Sequence, residues 1–137
     1  MSKISSSESY VIWEDIIGKA RLEDGREPLF RGYFEATIFA FENLRQGLSA
    51  KLARELAGSG LEESALKKII AESEHNKRLV SDAAADIKAT LDRDSACNSP
   101  LEVFLFYKGF AALQAHRLAN HLWLKDQKLL ALLIQSH

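Results

Sequence analysis

The sequence predicts an all-α protein, a multi-helix orthogonal bundle of about six to seven helices lacking any second domain of strands. Three observations carry this. Only two prolines occur in 137 residues, and Pro100 sits where a proline is welcome, at the first position of a helix. Apolar side chains recur at three- and four-residue spacing along most of the chain, and strand-like alternation is almost absent. No Gly-, Ser- or Pro-rich linker and no internal repeat divides the chain, so residues 10–137 read as one domain behind a flexible, polar, serine-rich N-terminus at residues 1–9.

Trp13, Ile16, Ile17 and Ala20 mark one face of a first helix that should stop near Glu23-Asp24-Gly25. Pro28 restarts the chain, and Phe30, Phe34, Ile38 and Phe41 form the next apolar stripe. Leu44, Leu48, Leu52 and Leu56 follow at strict i+4 spacing in a third helix, closed by Gly58-Ser59-Gly60, where glycine can take the left-handed cap conformation. Ser59 and Glu62 form a Ser-x-x-Glu start signal for a short fourth helix with Leu66, Ile69 and Ile70 on one side. A turn is expected at His75-Asn76. Val80, Ala84, Ile87 and Leu91 then give a fifth helix, with Ala83, Ala84 and Ala85 small enough to admit a close neighbour. It delivers Asp92, Arg93 and Asp94 at its end. Ser99 as N-cap, Pro100 at the first position and Glu102 completing a capping box start a long sixth helix, expected from about Pro100 to Trp123. A final helix over Leu129–Ile134 reads LLALLI; with no evident polar face, it should be covered by something and should promote self-association.

Composition excludes several function classes. At 47% hydrophobic residues the chain can bury a real core. Eighteen basic against nineteen acidic residues give a net charge of −1, without the basic excess a nucleic-acid binder needs. The single cysteine, Cys97, excludes an internal disulfide framework and a thiol-rich metal site. No apolar run approaches the roughly 20 residues that span a bilayer, and the polar start carries no signal-peptide core, so no membrane contact and a cytoplasmic location are expected.

Candidates for chemistry are few. His116 and His121 lie five residues apart, on different faces of a helix, unlike the i,i+4 pair of a zinc site, and His75 and His137 sit in a turn and at the terminus. They read as surface or partly buried side chains, and no metal site is expected. Cys97 has no histidine near it in sequence to activate it. Phosphate-loop and nucleophile-elbow motifs are missing. Gly109 inside a predicted helix reads as a point of close helix crossing, in preference to a ligand contact. Asp94, at a junction fixed from both sides, is either a structural cap or a substrate contact.

The order of Glu27-Pro28-Leu29, Ala36-Thr37-Ile38, Glu42-Asn43-Leu44, Asp86-Ile87-Lys88-Ala89, Arg93-Asp94, Lys108-Gly109-Phe110, Ala112-Leu113-Gln114-Ala115-His116-Arg117 and Leu122-Trp123 resembles the N-terminal helical domain of serine O-acetyltransferases. The likeness runs in register over about residues 10–137 and extends to the closing Leu130–Gln135 segment. It implies an acetyl transfer from acetyl-CoA to the hydroxyl of L-serine, in cysteine biosynthesis. It also implies homo-oligomers, dimers of trimers joined through the helical domains, whose catalytic half is a left-handed parallel β-helix carrying the histidine base and the CoA site. In that family the aspartate after the arginine binds serine and its analogue cysteine, and the role falls on Asp94; Asp92 more readily meets solvent or Arg93.

The chain reaches His137 before any hexapeptide repeat. The expectation is therefore that it holds no catalytic residue, binds no cofactor and is inactive alone, with acetyl-CoA a co-substrate of the full-length family. O-Acetylserine sulfhydrylase would be a partner only through a C-terminal tail. His116 and His121 lie on a helix the family uses for structure. Ser95 stands where the family usually has proline, Asn120 where it has histidine, and Phe41 replaces another frequent histidine. The alternative function is a stand-alone, non-catalytic helical interaction module.

Overall fold

A computed structural model describes residues 6–58, 60–72 and 76–136, which fall into eight α-helices and no strand. Helix α1 (Ser6–Arg26) begins inside the polar lead. Its predicted face is the buried one, with Trp13, Ile16 and Ala20 all but inaccessible. The Trp13 ring meets Phe104 edge-on at 5.5 Å, and its indole Nε1 donates to the Phe41 carbonyl at 3.4 Å.

Helix α2 (Phe30–Phe34) runs on as a π-helical turn, Glu35–Phe39, in which the Ala40 N–H donates to the Glu35 carbonyl five residues back. Such a turn leaves carbonyls without their usual helical donors. The Ala36 carbonyl finds one in Arg54 Nη2 at 2.9 Å. Phe34 and Ile38 are buried as the stripe requires.

Helix α3 (Leu44–Leu56) buries all four of its i+4 leucines. Asn43 caps it by accepting from the Gln46 N–H at 2.9 Å, and Gln46 Oε1 reaches back to the Glu42 N–H. Here the backbone of α3 lies so close to α1 that a Cβ on Gly47 would collide with the Trp13 ring, 2.9 Å from Cζ3. After α3, Gly58 takes φ +108°, the left-handed conformation expected of it. Ser59 and His75 lie outside the described residues, so the start signal proposed for the next helix has only its Glu62 half in view.

Helix α4 (Glu63–Glu72) packs Leu66 and Ile70 inward, while Ile69 is 43% exposed because it stands off the contact with α3. Helix α5 (Asn76–Arg93) buries Ala83, Ala84 and Ile87 against its neighbours. The expected long helix is two: α6 (Pro100–Phe106) and α7 (Lys108–Leu124), broken at Tyr107 with φ −81° and ψ 109°. That break raises the helix count to eight. It rests on distant contacts: Lys51 Nζ donates to the Leu105 carbonyl, Phe106 stacks on Tyr33, and the Tyr107 hydroxyl reaches Asp94.

The capping box expected at Ser99 is not formed. Ser99 has the N-cap backbone conformation, but its buried Oγ has no hydrogen-bond partner among the described residues. Glu102 instead accepts from the Asn98 N–H, one residue earlier, at 3.0 Å. Gly109 falls in the first turn of α7 with nothing within 4 Å of an added Cβ, so no helix crosses there. Glycine at a helix start also escapes most of the penalty it carries in a helix interior.

Helix α8 (Lys128–Gln135) folds back along α7. The turn between them is a Schellman cap: Gln127 N–H bonds the Leu122 carbonyl, Asp126 N–H bonds that of Trp123, and Asp126 adopts φ 62°. Ala131 and Ile134 are buried, but Leu124, Leu129 and Leu132 are 71%, 83% and 50% exposed. The apolar sequence of α8 is thus covered on one side only. No described helix is long and apolar enough to cross a membrane.

Candidate functional site

The C-terminal end of α5 and the turn to α6 place Asp94 at a fixed point. Its N–H continues the helix to the Thr90 carbonyl at 2.9 Å, and its own carbonyl accepts from the Cys97 N–H at 3.0 Å. The carboxylate is held at both oxygens. Oδ1 accepts from the Ala96 N–H at 2.9 Å, an Asx turn, and Oδ2 accepts from the Tyr107 hydroxyl at 3.2 Å. A carboxylate has roughly four lone-pair positions, so each oxygen of this half-buried group keeps room for another donor.

Tyr107 is the residue that sequence reasoning missed. Only the helix break gives it this position, and no local pattern announced the break. Its phenol is pushed up from its ordinary pKa, first by the hydrogen bond with the Cys97 thiol, then by desolvation and by the Asp94 carboxylate. At neutral pH it is a firmly protonated donor. Cys97 is buried, and its Sγ lies 3.6 Å from the Ser99 carbonyl. Arg93 turns away, donating from Nε to the Ala89 carbonyl at 3.3 Å in the last turn of α5, and Asp92 is exposed. The pair of aspartates therefore separates into one positioned carboxylate and one solvated one. Ser95 is exposed at the tip of the turn, whose geometry is set by its neighbours Asp94 and Ala96.

A second polar assembly lies further along the same helix. Gln114 of α7 is completely buried and donates from Nε2 to Asp86 Oδ2 at 2.7 Å. Arg117 grips the same carboxylate through both Nη1 and Nη2 and also reaches Gln114 Oε1 at 3.2 Å. Asp86 is thereby occupied on both oxygens by charged or amide donors. This clasp ties α5 to α7, and α7 in turn sets the direction in which Tyr107 enters. His116 is exposed, His121 is buried, and the two do not come together. Among the described residues no three of His, Cys, Asp and Glu gather in a group able to hold a metal ion.

Residues 12–115 match the family described as serine acetyltransferase, N-terminal. The chain belongs to that family. Serine acetyltransferase 3, mitochondrial, of Arabidopsis thaliana is 35% identical over 126 residues, which cover 91% of this chain and 32% of the relative. Serine acetyltransferase of Escherichia coli K12 is 31% identical over 134 residues, covering 97% and 49% respectively. The solved structure of soybean serine acetyltransferase complexed with serine superimposes with a TM-score of 0.88 at 34% identity, over 96% of this chain and 55% of that one. The chain thus spans from about a third to a half of the curated relatives it matches. The eight helices correspond to a serine acetyltransferase N-terminal domain, and Asp94, Tyr107 and the Asp86 clasp are features of this family member.

Proposed function

We propose that this chain is the helical part of an enzyme that transfers acetyl from acetyl-CoA to the hydroxyl of L-serine, and that Asp94 supplies the carboxylate that receives the serine ammonium group. The single observation that carries the reading is the state of Asp94 within a serine acetyltransferase domain. Its carboxylate is oriented by the Ala96 N–H and the Tyr107 hydroxyl and keeps an acceptor position free on each oxygen. A charge-assisted bond from an ammonium is stronger than a neutral one, and a rigid acceptor fixes where the hydroxyl points. The histidine base and the CoA site belong, in this reading, to the part of the relatives that the chain does not span. Serine in the related soybean structure supports the substrate class.

The test is a fusion of this chain to the remaining part of the Escherichia coli relative. Asp94→Ala in the fusion should raise the serine KM about tenfold or more, the value of one charge-assisted bond, and leave the acetyl-CoA KM unchanged. Serine kinetics equal to those of the parent fusion would sink the assignment.

The uncovered side of α8 favours a second role, oligomerisation through the helical domain, and with it the alternative of a non-catalytic interaction module. Leu129 and Leu132 of α8 are exposed apolar side chains that water should not meet in the working assembly. Sedimentation of the chain should show self-association that Leu132→Glu reverses, and a monomer at high concentration would contradict it.

A further inference from the structure

A pocket lies between α5 and α7, with Arg117 of the Asp86 clasp in its wall. It has a volume of about 380 Å3, within the range of small-molecule sites, roughly 300–1,000 Å3. Leu79, Leu118 and Leu124 supply its apolar surface, and Arg78, Asp82, Arg117, Asn120 and the buried His121 its polar groups.

The charges do not cancel one another in the usual way. Arg117 is already matched by Asp86, which it grips through two nitrogens. Its remaining contact, Nε to Asp82 Oδ2, is 3.8 Å long, and the Asp82 side chain is 37% exposed. Arg78 makes no ion pair with any described residue, Asp82 included, although the two stand four positions apart on α5. One helix turn thus presents to the same cavity an exposed arginine with no ion-pair partner among the described residues and a weakly matched carboxylate, beside three leucines.

We propose that this pocket binds a free α-amino acid with an aliphatic side chain. Arg78 receives the α-carboxylate, Asp82 receives the α-ammonium, and the side chain lies on Leu79, Leu118 and Leu124. A guanidinium matches a carboxylate with two parallel N–H bonds, and Asp82 supplies the charge-assisted acceptor that a lone anion would not need. The site is separate from the Asp94 carboxylate and independent of its role.

The test uses the 137-residue chain with amide resonances followed by nuclear magnetic resonance. L-Leucine should shift Arg78, Leu79, Leu118 and Leu124 saturably. Isocaproate, which lacks the ammonium, and isoamylamine, which lacks the carboxylate, should each bind about tenfold more weakly, one charge-assisted bond having been removed. Arg78→Gln should bring leucine down to the level of isoamylamine, and Asp82→Asn should bring it down to that of isocaproate. L-Serine, without an aliphatic side chain, should leave these resonances in place; shifts at Asp94 and Tyr107 would report the other site. Binding of isocaproate as tight as that of leucine would make this an ordinary anion site and overturn the proposal. So would leucine shifts that survive Arg78→Gln, or no shifts at all.

Discussion

Asp86 within α5 and Asp94 just past its end, eight residues apart in sequence, show how the same side chain becomes structure in one place and a candidate site in another. Asp86 has three of its roughly four acceptor positions taken by Gln114 and a two-handed Arg117, both from α7. Asp94 has one backbone donor and one phenol, which orient it without exhausting it. The first arrangement stabilises a helix pair and leaves little acceptor capacity for a further ligand. The second holds a charge in position with capacity left over. Rigid placement combined with incomplete satisfaction is what distinguishes a recognition group from a clasp.

Asp86→Ala leaves a fully buried Gln114 amide and the Arg117 guanidinium without their acceptor, and should cost about 2–3 kcal/mol of unfolding free energy, measured by urea denaturation. A loss within the range of an ordinary surface substitution would mean that the clasp is not structural.

Asp94→Ala should cost less, about 1 kcal/mol, because the exposed Ala96 N–H can turn to water. Its larger effect should be on serine, in the fusion described above. A stability loss matching that of Asp86→Ala, with serine kinetics untouched, would reverse the two roles.

Tyr107→Phe keeps the ring and removes the orienting hydroxyl, and should cost less stability than Asp94→Ala in the same denaturation. It also has a signature in pH. Because the folded phenol holds its proton above the ordinary value of 10.0, the folded state binds more protons than the unfolded one in that window. Its contribution is complete below 10.0 and is lost as pH rises toward the elevated folded value. Stability measured against pH should therefore fall more steeply at the alkaline end in the parent than in Tyr107→Phe, and parallel curves would deny the coupling. The smallest effect belongs to Asp92→Ala, which should stay within about 0.5 kcal/mol and leave serine kinetics unchanged, as expected of an exposed side chain.

Much of the fold was legible because it depends on local periodicity. Trp13, Ile16 and Ala20, the four leucines of α3, and Ala84 with Ile87 were identifiable as core from spacing alone, since a helix puts residues three and four apart on one face. Positive φ at Gly58 was legible for the same kind of reason: glycine lacks the Cβ that resists it. Family resemblance singled out Asp94, which spacing alone had left between cap and contact.

Other features depended on partners far away in the chain. Apolar spacing continues across Tyr107, so nothing nearby foretold that Lys51, Tyr33 and Asp94 would together sustain a break there. Ser99, Pro100 and Glu102 offered a complete local signal, yet Glu102 took the neighbouring N–H and the Ser99 hydroxyl was left inside. The turn into α8 uses Asp126 in a left-handed conformation that glycine would have advertised. Gln114, in an otherwise unremarked run of α7, is a buried polar side chain only because Asp86 waits across the helix contact.

The sequence by itself therefore determined the helical class, most helix faces and the candidate carboxylate, Asp94, because each follows from spacing or from a chain-long resemblance. Tertiary structure alone decided where the sixth helix divides, which side of α8 stays uncovered, and which of two aspartates keeps the larger acceptor capacity. The physical reason is that the number of donors around a carboxylate is set by what packs against it in space, and no pattern along the chain encodes that count.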